Sequence, residues 1–225
     1  METNEKVETS NLQKVSFEQI EKAFMEFKEK ANNPYYVAIF GKTFLDETTD
    51  EYKLTKEVAR KVIENDLGVI HGAYTGVMKA ASQGADAAIQ KSNKSEYLNI
   101  GVPMKTFDEE LPKASRINLP AAETIGDRKK ALIEFCDVCV VMPSGGFGTM
   151  LESLEIFHMN QLAEKFGGKV RPLIFVGERW NIIFKALYDN LDMNKQKTGE
   201  SFCHFIKNIE QLELILNEIE LKKEI

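Results

Sequence analysis

A chain of 225 residues with 43 % hydrophobic and 28 % charged side chains can bury a sizeable core, is no disordered polyelectrolyte, and need not be more than one domain. Its net charge of −6 excludes a broad nucleic-acid-binding face, because nucleic-acid phosphates repel such a surface, and leaves room only for a local anion site. Three cysteines cannot build a disulfide framework, the polar N-terminus lacks a signal-peptide core, and the most apolar stretch, Ala131 to Pro143, is broken by Glu134 and Asp137, so a soluble, reduced, cytoplasmic chain with no membrane span is expected.

Residues 1 to 15 read as a solvated tail. Ser16 and Gln19 have capping-box spacing and open a helix that carries Phe17, Ile20, Phe24 and Phe27 as one apolar stripe. That helix ends at Asn32-Asn33-Pro34, since the residue before proline disfavours helical backbone. Residues 1–33 are thus set apart from a single α/β domain over 34–225.

Strands and helices then alternate. Tyr35 to Phe40 is a buried strand, and Asp50 to Asn65 a helix with Leu54, Val58 and Val62 on one face. Val69 and Ile70 mark a short strand, Gly76 to Lys91 an alanine-rich helix, and Tyr97 to Val102 a third strand. Residues 104 to 122 read as a loop with a short strand at Ile117 to Leu119. Thr124 to Phe135 is helical, Asp137 to Met142 a very apolar strand, and Phe147 to Lys165 a helix with Leu151, Leu154 and Leu162 on its core-facing stripe. Leu173 to Val176 is a strand, Trp180 to Leu191 a helix, and Ile209 to Ile219 a last amphipathic helix. Such alternation predicts an α/β doubly wound, mostly parallel sheet with helices on both faces, and ligands in such folds sit beyond the carboxyl ends of the strands.

Three loops occupy those ends. Gly41-Lys42-Thr43 follows the first strand and ends like a P-loop, but the glycine that loop needs five residues earlier is Tyr36, so a P-loop is rejected. Residues His71 to Met78 follow the second strand, with Gly72 and Gly76 permitting close backbone approach; His71 is read as a packed, hydrogen-bonding histidine. Pro143-Ser144-Gly145-Gly146-Phe147-Gly148-Thr149 runs from the strongest strand into a helix. A helix start offers unpaired amides and a positive dipole end, and glycines remove the Cβ atoms that would hold an anion away. Glu152 and Glu155 follow on the same face as Thr149; they belong either to a solvated surface or to a site where a carboxylate meets developing positive charge. Arg128-Lys129-Lys130, in the preceding helix, either serves solubility or reaches the same cleft. Cys136 and Cys139 flank a buried strand start and are read as core cysteines, and no residue pattern marks a metal site.

Taken together, these segments resemble the Lonely Guy family of phosphoribohydrolases, whose members have also carried the label "lysine decarboxylase". The family signature P-G-G-x-G-T-x-x-E appears as Ser144-Gly145-Gly146-Phe147-Gly148-Thr149-Met150-Leu151-Glu152, and its upstream Arg-Lys pair as Arg128-Lys129. Gly72 to Met78, Gly41-Lys42-Thr43 and Ile100-Gly101-Val102-Pro103 resemble further family segments, as do Gln161-Leu162 and Arg171-Pro172. Ser144 stands where the family has proline, His71 and Ala73 replace glycines, and Lys42 and Thr43 replace a serine pair.

The resemblance implies a modified Rossmann-like fold, a homodimer, no cofactor, and hydrolysis of the N-glycosidic bond of a nucleoside 5′-monophosphate, either a cytokinin riboside monophosphate or an AMP-like substrate. It implies catalytic roles for Arg128 and Glu152, and substrate contacts from Gly41, Thr43, Gly72, Met78, Lys129, Gly145, Gly146, Phe147, Gly148, Thr149, Glu155 and His158. The rival reading is a binder that holds a nucleotide or phosphorylated cofactor uncut, as a molybdenum cofactor carrier or a nucleotide sensor would.

Overall fold

In a computed structural model, residues 15–105, 117–191 and 201–223 are described; the expected tail and most of the loop after the third strand lie outside them. The elements are α1 (Phe17–Lys30), β1 (Tyr36–Phe40), α2 (Asp50–Glu64), β2 (Gly68–His71), α3 (Val77–Ser92), β3 (Asn99–Gly101), β4 (Ile117–Asn118), α4 (Ile125–Glu134), β5 (Val138–Val141), α5 (Phe147–Phe166), β6 (Leu173–Val176), α6 (Glu178–Asn190), β7 (Cys203–Ile206) and α7 (Ile209–Lys223). The strands form one sheet in the order β4-β3-β2-β1-β5-β6-β7, and every pair is parallel. None of the described helices is long and apolar enough to cross a membrane.

Side-chain alternation along the central strands divides the interior. Tyr36, Ala38 and Phe40 of β1 point into a core shared with α1, α4, α5 and α6, while Val37 and Ile39 point into the other, shared with α2, α3 and α7. A strand covered on both faces must be apolar throughout, which is why β1 and β5 read as unbroken hydrophobic runs. Helices α2 and α3 cross closely: a Cβ on Gly84 would lie 2.1 Å from the Lys56 carbonyl oxygen.

The strand β7 was not foreseen in the sequence. Its four residues, Cys-His-Phe-Ile, are mostly half-buried at the sheet edge, so the apolar signal of a central strand is missing. Helix α5 also differs from expectation. Thr149, Ser153, Ile156, Phe157 and Asn160 are its buried residues, whereas Leu151 and Leu162 are 62 % and 43 % exposed.

Helix α1 begins with the expected capping box, the Ser16 amide donating to Gln19 Oε1 at 2.8 Å, and ends in two left-handed residues, Asn32 and Asn33. Its stripe belongs to the core. Phe24 stacks on Phe135 with ring centroids 4.4 Å apart and 5° between planes, and meets Tyr36 edge-on at 5.2 Å. Phe24→Ala should therefore lower the unfolding free energy by about 3 kcal/mol, read from the midpoint of urea denaturation. A change below about 0.5 kcal/mol would mean that α1 is not docked as described.

Candidate functional site

The strand order reverses at β1, whose neighbours are β2 and β5, and the crevice of a doubly wound sheet opens where such a reversal occurs. The loops after β1, β2 and β5 meet there. The first two are braced against each other. The Lys42 carbonyl accepts from the Val77 amide at 3.0 Å, and the Thr43 carbonyl accepts from Thr75 Oγ1 at 2.9 Å. Gly76 has φ +64°, and a Cβ there would lie 2.2 Å from the Thr43 carbonyl oxygen, so only glycine serves. At Gly41, a Cβ would strike Val77 at 2.6 Å.

His71, the last residue of β2, is fully packed. Its Nδ1 accepts from the Ala73 amide at 3.0 Å, which leaves Nε2–H to donate to Asn99 Oδ1 at 3.1 Å. The Ala73 amide bonded to Nδ1 belongs to a residue at φ +63°, a left-handed conformation a branched residue would resist. Burial, reinforced by the neighbouring Arg128 charge, keeps the ring neutral, with its pKa pushed down to about 4. The sequence expectation of a packed, hydrogen-bonding histidine matches this geometry.

Arg128 projects from α4, whose start is capped by Thr124 accepting from the Asp127 amide. The side chain is buried. Its Nε donates to the Val102 carbonyl at 3.0 Å and its Nη2 to the Gly72 carbonyl at 2.8 Å, with Met78 Sδ at 3.4 Å from Nη2 and the Tyr74 ring 5.3 Å away. A Cβ on Gly72 would sit 1.9 Å from Nη2. The arginine therefore fastens the ends of β2 and β3 together and serves the cleft rather than solubility.

The loop after β5 is fixed from below. Gly145 is wedged against Thr149 and Trp180, where a Cβ would come within 2.6 and 2.7 Å, and Trp180 Nε1 donates to the Met142 carbonyl at 2.8 Å. By contrast, Gly146 and Gly148 face open space, and no side chain caps α5. The first amides of that helix thus have no intrahelical acceptor and no side-chain cap. Ser144, before the two glycines, donates from both its amide and its hydroxyl to Glu51 Oε1, at 2.8 and 2.7 Å. Glu51 and Trp180 were not foreseen; neither lies in a motif, and only the fold brings them here.

One turn into α5, Glu152 is half-buried. Loss of water raises its pKa to about 7 against the lowering fields of Arg128 and Lys129, with Glu155 adding to the rise. Glu155 forms an ion pair with Lys129, so these two predicted contacts bind each other at the rim. Thr149 is buried, Phe147 is 92 % exposed, and Thr43 lies exposed on the loop after β1. His158 is exposed and stands six residues beyond Glu152, on another face of the helix. Cys136 and Cys139 are core residues as expected, the Cys136 thiol being pushed up to about 12 by burial.

His71 and Glu152 impose opposite pH dependences on stability. Between pH 6.5 and 4 the unfolded chain protonates His71 and the folded chain does not, so stability falls on acidification. Between pH 7 and 4.5 the folded chain holds a proton on Glu152 that the unfolded chain has lost, so stability falls as pH rises. The difference between the parent and His71→Asn isolates the histidine. Measured by denaturation at pH 7 and again at pH 4.5, the parent's advantage should shrink by about 2 kcal/mol. An unchanged difference would mean that His71 is not buried as a neutral ring.

A family model described as "Possible lysine decarboxylase" matches residues 78–219. No curated protein matches the chain. Among solved structures, a protein named TM1055 superimposes with a TM-score of 0.61 at 18 % identity, over 82 % of this chain and 99 % of that one. The molybdenum cofactor carrier protein of Chlamydomonas reinhardtii gives 0.58 at 16 % identity, over 82 % and 97 %. DNA processing protein A of Helicobacter pylori, which binds single-stranded DNA, gives 0.52 at 18 % identity, over 84 % and 83 %. At such identities these likenesses establish a shared fold. The family match spans more than half of the chain and covers Arg128, the glycine-rich start of α5 and Glu152, so this protein belongs to the Lonely Guy family, described as possible lysine decarboxylases.

Proposed function

We propose that the protein hydrolyses the N-glycosidic bond of a nucleoside 5′-monophosphate, releasing the free base and ribose 5-phosphate. The observation that carries this reading is a carboxyl group, Glu152, held half-buried beside a buried arginine about one helical turn from a helix start with open amides. The 5′-phosphate would rest on the amides of Gly146 to Thr149, where the helix dipole favours negative charge. The ribose would then lie along α5 towards Glu152. As the base departs, C1′ becomes oxocarbenium-like. A carboxylate at Glu152 would stabilise that charge and take a proton from the attacking water. The water oxygen bonds C1′ as the C–N bond breaks, and the base leaves with the bonding electrons and takes up the proton that Glu152 received, which restores the carboxylate. A base with a pKa near 7 suits such work at neutral pH. Arg128 would hold the loop after β2 in place and keep part of the Glu152 population ionised.

The family description names a decarboxylase, whose pyridoxal phosphate would require a lysine amine for a Schiff base. The residues present do not fit that group. Lys129, on the Arg128 helix, is engaged by Glu155, and Lys42 is exposed on the loop after β1. A carrier reading, suggested by the fold shared with the molybdenum cofactor carrier, requires only a phosphate-holding loop. The charge pair Arg128 and Glu152 favours cleavage over carriage.

Glu152→Gln keeps the shape and removes the charge. A transition state with positive character needs that charge and the bound ground state does not, so single-turnover release of base should fall by a factor on the order of 10² or more, with AMP affinity kept within a few-fold. The parent's rate should rise with pH through about 7 as Glu152 loses its proton, and the variant should lack that limb. Equal cleavage by parent and variant would refute the mechanism. A parent that binds monophosphates but cleaves none in a panel of common bases would leave the carrier reading.

The same site suggests a second copy of the chain as partner. Phe147 and Leu151, 92 % and 62 % exposed, lie four residues apart on α5, and exposed apolar pairs of this kind mark association surfaces. A homodimer that covers them would shape the mouth of the cleft. Light scattering should give twice the chain mass for the parent and the monomer mass for Leu151→Glu. A monomeric parent would overturn the assembly.

A further inference from the structure

We infer that a groove at the opposite end of the strands from the cleft is a second binding site, which takes a small organic monocarboxylate with an apolar body. It is bounded by α1, the end of α4, α5 and the segment leading into β6. Such a site stands whether or not the cleft cleaves a nucleotide.

The groove has a volume of about 370 Å³. Small-molecule sites run from about 300 to 1,000 Å³. Phe24, Met25, Phe135 and Met159 give it apolar walls, and Lys28, Lys169 and Arg171 give it positive charge. Phe24 and Phe135 are buried and Met25 is 56 % exposed, so the walls run from the core to the surface. The two methionines are flexible and can close around an apolar body.

Arg171 decides the charge of the ligand. Asn160, buried on α5, accepts from the Arg171 amide at 2.9 Å and donates to its carbonyl at 2.7 Å, which fixes the residue in place. The side chain is buried as well. Its Nε donates to the Cys136 carbonyl at 3.1 Å and its Nη1 to the Lys169 carbonyl at 3.4 Å. Lys169 Nζ reaches the same Cys136 carbonyl at 2.9 Å, so the two cationic nitrogens lie within about 6 Å of each other and repel. Asp137 answers the lysines, 2.6 Å from Lys169 and 3.9 Å from Lys28. Among the described residues no carboxylate pairs with Arg171, and its Nη2 has no acceptor. A buried charge without a partner is costly, and a carboxylate in the groove would supply one, matched to the guanidinium edge. Glu21 and Glu134, both exposed, also border the groove and disfavour a dianion such as a phosphate monoester. One negative charge on an apolar body satisfies both the arginine and the walls.

The test uses the full chain with octanoate as the probe, by calorimetry and by NMR of isotope-labelled methionine methyl groups. Octanoate should bind once per chain and move the Met25 and Met159 signals. Octanamide keeps the shape without the charge, and acetate keeps the charge without the body; each should bind at least about tenfold more weakly. Arg171→Gln should cost at least about tenfold in octanoate affinity. Met25→Glu, at an exposed position, should weaken binding similarly by setting a negative charge against the probe, and it decides the matter if Arg171→Gln does not fold. Saturating AMP should leave octanoate affinity unchanged, because the groove lies at the other end of the strands. Failure of octanoate to bind the parent would overturn the site. So would equal affinity for octanoate and octanamide, parental affinity in the folded variants, unmoved Met25 and Met159 signals, or displacement of octanoate by AMP.

Discussion

A buried guanidinium in a parallel sheet has to find acceptors, and Arg128 finds them on the carbonyls of Gly72 and Val102 at the ends of two neighbouring strands. Much of the cleft depends on that arrangement. It requires glycine at position 72, where any Cβ would overlap Nη2. It fixes where α4 lies against the sheet. It also keeps a permanent positive charge inside the protein, because a guanidinium does not release its proton there. That charge favours a neutral ring at His71 and lowers the pKa of Glu152 against the rise caused by burial.

The electrostatics of the cleft set Arg128 and Lys129 against the partial burial of Glu152. Glu152 is half-buried, and the water it loses raises its pKa to about 7. Glu51 is tied to donors on the loop after β5 and braces that loop against α2. The third acid, Glu155, is engaged with Lys129 at the rim and mainly tunes its neighbour.

Rigidity beneath the loops comes from apolar packing. Trp180 supports the loop after β5 from α6, while the Phe17, Phe24 and Phe135 rings join α1 to α4, the helix that carries Arg128. The contacts that hold the cleft are therefore distributed over α1, α4, α5 and α6, all on one face of the sheet. The exposed apolar residues of α5 lie on its outer side, where the chain's own core does not reach.

Local chemistry was written plainly enough in the sequence to determine a good deal. Unbroken apolar runs at β1 and β5 required strands buried on both faces, alternation with helices required parallel pairing, and glycines leading into α5 required an open helix start. Arg128 and Glu152 stood near that start with two readings each, and the resemblance to the Lonely Guy family singled them out. Edge strand β7 was hidden, because four half-buried residues carry no periodic signal. The outward turn of Leu151 and Leu162 was hidden as well, since residue type alone does not say which side of a helix meets the sheet. Glu51 and Trp180 could be found only in three dimensions. Each stands more than thirty residues along the chain from the loop it holds, and the pairing exists because parallel strands bring β1 beside β5 and α6 beneath both. Spacing along the chain records interactions within a helix turn or a loop. Interactions between elements are set by the order of strands in the sheet, and that order was decided by the tertiary fold.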